Sequence, residues 1–97
     1  MAAKRTAKAN GFTGIPVGEN VIIRTVTHYF TGRVAGESER WIALEDAAWV
    51  ADTGRFAEAL RTGKLSEVEP YPGSCLVAIG AVVDVAPWPH SLPRLVI

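Results

Sequence analysis

YFTGRVAGESERWIALEDA, running from Tyr29 to Ala47, reads as a bent hairpin. Two runs rich in aromatic and β-branched residues flank the polar turn Gly36-Glu37-Ser38-Glu39, and the second run closes on Leu44-Glu45-Asp46-Ala47. Successive side chains of a strand point to opposite faces. On the return strand, therefore, Trp41, Ala43 and Glu45 alternate with Ile42, Leu44 and Asp46, which makes Ile42 and Leu44 the core-facing pair. Gly32 falls in mid-strand between Thr31 and Arg33, where a missing side chain marks a bulge or a close approach of two backbones. Small β-barrels bend their hairpins in this way.

Upstream, VIIRTVTHYFTGRV (21–34) has the composition of a strand, with Ile15 to Asn20 as the turn before it. Val21, Ile23, Thr25 and Thr27 share one face and Ile22, Arg24, Val26 and His28 the other; both faces are mixed, as in a strongly twisted strand. Downstream, CLVAIG (75–80) and AVVDV (81–85) supply two short strands at the spacing a small barrel needs. Between the hairpin and this pair, Phe56, Ala59 and Leu60 fall at i, i+3 and i+4. They predict a helical insert at about 53–62, capped by Asp52 or Thr53 and ended by Gly63. Leu65 to Val68 reads as a short edge segment before the Pro70-Tyr71-Pro72-Gly73 break.

Three zones follow. Residues 1–14 form a basic flexible arm, 15–85 the barrel with its insert, and 86–97 a Pro-rich extended tail in which Trp88, between two prolines, reads as exposed. Ninety-seven residues, 48% of them apolar, suffice for one core and one domain. The single Cys75 rules out a disulfide framework and reads as a buried thiol. No apolar run approaches the roughly 20 residues of a membrane span, and no membrane partner is expected.

Net charge is zero but unevenly spread: residues 1–36 stand at +4 and 37–69 at −4. Such halves suit contacts between copies or a basic arm on an acidic partner. Catalytic equipment is missing from the pattern. His28 and His90, with one cysteine between them, have no metal-ligand spacing, and each reads as a residue satisfied by a local hydrogen bond. Glu45 and Asp46 are neighbours on a strand and project to opposite faces, so they do not form an acid/base pair. No catalytic, cofactor or metal residue is assigned, and an enzyme is not expected. The candidates for contact are the basic Lys4, Arg5 and Lys8 of the arm and the aromatic Tyr29, Trp41, Trp49 and Trp88, of which one or two should be core and the rest interface anchors.

Phe30-Thr31-Gly32-Arg33-Val34 with Ile42-Ala43-Leu44-Glu45-Asp46-Ala47, and the later Leu76 to Val85, resemble the two motifs of an Sm-like barrel over residues 18–85. The resemblance implies a mostly β fold: a small five-stranded Sm-like (Src-homology-3-like) barrel with a short helical insertion and extended N- and C-terminal arms. In the RNA-binding members a base pocket uses an asparagine and an arginine. Trp41 and Ile79 stand at those positions here, so that pocket is not carried over. The run THYFTGRV…LEDAAWVADTGRF…EVEPYP further resembles small proteins that tailed phages and prophages encode near their structural genes. That likeness implies a virion-associated assembly role, in the virion or the host cytoplasm, through self-association or docking on a capsid or tail protein. An RNA-binding ring is the alternative.

Overall fold

The structure, a computed structural model, describes residues 14–97. Strands β1 (Asn20–Thr25), β2 (Tyr29–Glu37) and β3 (Trp41–Asp52) form a meander. Helix α1 (Phe56–Thr62), β4 (Glu67–Pro70), β5 (Cys75–Ala78), a 3₁₀ turn (Ile79–Ala81) and β6 (Val82–Pro87) follow. All strand pairs are antiparallel, in the order β4-β3-β2-β1-β6, with β5 also on β3.

The mostly β expectation holds, but the closed five-stranded barrel does not. Among the described residues six strands form one sheet that stays open. The reason lies in β3, whose outer edge is divided: Trp41 to Leu44 pair with β5, while Ala48 to Asp52 pair with β4. Between the two stretches Asp46 adopts a left-handed backbone (φ 50°), unusual for any residue but glycine. The strand bends there, and each partner covers only a few residues. β5 and β6 then leave for different neighbours, β3 and β1.

Gly32 behaves as its position predicts. The β2–β3 register shifts between Thr31 and Arg33, and a Cβ on Gly32 would meet Leu44 Cβ at 3.0 Å. The two backbones approach because no side chain separates them. Ile42 and Leu44 are buried as expected, in a cluster with Val21, Ile23, Phe30, Val34, Ala47 and Val77.

The opposite face of the sheet is also buried, which the sequence pattern did not suggest. By register, Ala86, Ile22, Thr31 and Ala48 form a row across four strands on that face. Ala48, Val50 and Val68 form a second cluster with Tyr29 and Leu65 against it. Tyr29 stacks on Phe56 of α1, ring centres 5.5 Å apart. Ile22 and Ile23 are thus both buried, one on each face. A strand covered on both sides loses its polar alternation.

α1 begins later than predicted. Arg55 stands at its N-cap without a side-chain bond, whereas Asp52 and Thr53 hold the preceding turn: Gly54 N–H donates to Asp52 Oδ1 at 2.8 Å, and the Thr53 hydroxyl donates to Gly54 C=O at 2.7 Å. Gly63 ends the helix as expected (φ 80°), its N–H donating to Ala59 C=O.

Residues 86–97, read as a Pro-rich extended tail, pack on the sheet, and the departure there is Trp88, which was read as exposed. β6 runs through the proposed boundary to Pro87, and Trp88 N–H donates to Asn20 C=O, extending the ladder. Trp88 is 1% exposed, the largest fully buried side chain among the described residues. Its ring meets His90 edge-on, centres 4.8 Å apart, and a His90 ring nitrogen bonds Leu60 C=O at 2.7 Å. Arg94 donates to Ala47 C=O and Tyr71 C=O, and Ile97 exchanges two backbone bonds with Val68. Proline richness kept this segment extended, as read, but extended chain packs on a sheet as readily as it leaves one.

Candidate docking face

One groove of the molecule combines exposed apolar side chains with a shaped floor. Its first wall is the β1–β2 turn. Thr25 closes that turn with three bonds to His28: the Thr25 N–H and hydroxyl both donate to His28 C=O at 2.8 Å, and Thr25 Oγ1 accepts from His28 N–H at 3.2 Å. Val26 at the tip is left 83% exposed. The second wall comes from β3 and β5, where Trp41 pairs with Ala78 and Ala43 with Leu76. Ile42 and Val77 point to the core from these strands, so Trp41 and Leu76 point away from it, 43% and 59% exposed. Phe30 and Val77 reach the floor, and the groove encloses about 370 Å³. Its lining carries no Asp, Glu, Lys or Arg.

His28 is the polar side chain with most at stake there. One ring nitrogen, Nδ1, meets Thr27 Oγ1 at 2.7 Å, as a locally satisfied histidine should. Nε2 is buried and has no partner among the described residues. The ring lies against Phe30 and Trp49, centres 4.8 and 5.3 Å away. Burial holds its basicity below that of an ordinary imidazole.

Two other sets of ionisable groups have structural roles. Arg33 donates to Asp46 Oδ2 at 2.8 Å and to Glu45 Oε1 at 3.1 Å, and the bond to Arg33 holds the Asp46 carboxyl below the usual range. These neighbouring acids do not simply diverge, because the left-handed Asp46 breaks the strand's alternation and lets both reach one guanidinium. Cys75 is half-buried beside Tyr71, and burial raises its thiol pKa, which disfavours the nucleophilic thiolate. Among the described residues, no three His, Cys, Asp or Glu side chains gather as a metal cluster would.

The aromatic candidates separate by position. Trp41 faces the groove; Trp49 is half-buried behind His28; Tyr29 supports α1; Trp88 is interior and presents no surface for contact. Lys4, Arg5 and Lys8 lie outside the described residues. Leu76, Val26 and His28 were not singled out from sequence as contact residues. Leu76 sits in a short unbroken apolar run, where the period-two signal that separates inside from outside is hidden. No helix is long and apolar enough to cross a membrane among the described residues. No family model, curated protein or solved structure matches this chain.

Proposed function

We propose that this chain is a non-enzymatic assembly protein of the phage type: a small Sm-like, Src-homology-3-like unit that associates with further copies of itself and builds into a virion. The carrying observation is the groove of Val26, Trp41 and Leu76. A charge-free apolar concavity on a small domain is costly to leave wet and suits a protein neighbour. A second copy is the occupant favoured by the opposed charges of residues 1–36 and 37–69. The open strand edges supply further docking surface. An RNA-binding ring is the lesser reading, since Trp41 could stack a base but the groove offers no cation for its phosphates.

The test is the mass of the full chain across a concentration series, for wild type and Leu76→Asp. Leu76 is exposed, so the variant keeps its fold while placing a charge in the groove. The expected result is association in the wild type, lost or weakened at least tenfold in the variant. A wild type that stays monomeric but joins a capsid or tail component would transfer the groove to a foreign partner. Salt-sensitive RNA binding abolished by Trp41→Ala would favour the alternative.

A further inference from the structure

We propose that His28 is a pH-operated latch on this groove: protonation drives the imidazole out from between Phe30 and Trp49 and reshapes the groove wall. Its effect on docking rests on the function proposed above; the latch itself does not.

The argument starts from hydrogen-bond supply. A neutral imidazole needs one donor and one acceptor partner, and His28 has the Thr27 hydroxyl for Nδ1 and nothing for Nε2. An imidazolium is a donor at both nitrogens. The positive N–H at Nε2 would then be buried without an acceptor, which is much worse than the neutral orphan. Water is the nearest remedy, and reaching it requires the ring to leave its niche.

Among the described residues no neighbouring element supplies a compensating anion. The turn itself, residues 25–28, carries no acid. Arg24 of β1 is exposed and committed to Asp84 of β6. β2 contributes Phe30 and β3 contributes Trp49. Glu69 of β4 stands opposite Trp49 in register, and Tyr71 stacks on Phe30 with Cys75 beside it, yet none of these raises the basicity of His28. β5 and the 3₁₀ turn bring only apolar residues to the groove.

The backbone is built to let the ring go. All three bonds that close the turn run between Thr25 and the main chain of His28, and none involves the imidazole. The turn can therefore stay shut while the side chain rotates. Its departure uncovers the faces of Phe30 and Trp49 and changes the groove between Val26 and Trp41. Ionisation in the range where histidine titrates thus becomes a change of surface shape.

The experiment is a pH titration of the full chain by NMR, following the His28 ring and the three indole N–H signals separately. The Trp49 signal should move with His28 at a common midpoint below the ordinary histidine value of about 6.5, separately from any movement of Trp88, whose ring meets His90. In His28→Phe, which keeps an aromatic ring in the niche, the Trp49 movement should vanish; His28→Gln serves if the phenylalanine variant misfolds. An ordinary midpoint, a Trp49 signal that ignores His28, or all three indoles moving together as in global unfolding would each overturn the latch. Measured alongside, association that is lost over the same interval in wild type but not in His28→Phe ties the latch to docking. Association indifferent to pH while Trp49 moves leaves the latch standing and counts against the groove as the docking face.

Discussion

Gly32 shows how far a single residue can be read from its position. A glycine inside an otherwise β-branched run predicts a backbone contact, and the contact is there because Leu44 occupies the space a Cβ would fill. Gly32→Ala should cost about 1–3 kcal/mol, the usual penalty of overpacking a filled core, measured by urea unfolding at unchanged m-value. A neutral result would mean that Leu44 can swing aside and that the bend does not depend on this glycine. Ile42 and Leu44 were legible for a similar reason, since their burial follows from alternation within one strand. Asp46 was not. Its left-handed backbone falls between the stretches of β3 that pair with β5 and with β4, and nothing in the neighbouring sequence records that division.

At the scale of elements, the meander, the insert and the final strand pair could be placed from periodicity and turn residues, while the number of strands and the course of the tail could not. Trp88 illustrates the difficulty. Proline on both sides removes any local pattern, and the backbone partner that anchors it, Asn20, lies far back in the chain. The tail nonetheless packs into the fold, with Trp88 1% exposed. Trp88→Ala should therefore cost about 3–5 kcal/mol, whereas Trp41→Ala should change stability by less than about 1 kcal/mol, since Trp41 is 43% exposed. Chemical denaturation of the two variants side by side decides it. Equal losses would place the groove tryptophan in the core, and a mild Trp88→Ala would return the tail to the status of an arm.

For the whole molecule, the two buried faces of one sheet set the distribution of rigidity. β1, β2 and β3 each pair on both edges over most of their length, so their amides should open only with global unfolding. β5, four residues long and paired with β3 alone, should exchange through local opening. Hydrogen exchange read by mass spectrometry or NMR should rank β2 and β3 slowest and β5 markedly faster. Uniform protection would show that β5 is secured by contacts beyond its ladder. The fold class was legible at this scale because β-branched composition is a global property. The candidate site was legible only in part, because a groove is formed by what neighbouring strands leave uncovered.

The pairing of β6 with β1 has a consequence for biosynthesis. Arg24 and Asp84, facing one another across that ladder, lie sixty positions apart. On a ribosome the N-terminal partner emerges seconds before the C-terminal one, at about 5–20 residues per second. Until β6 arrives, β1 has a bare edge. The nascent chain is thus most adhesive while it is being made, and ribosomes translating one message in close succession would hold several such chains together. Completion of the fold, then, is a late event that withdraws this edge from circulation and leaves the groove on offer, along with the exposed Leu95, Val96 and Ile97.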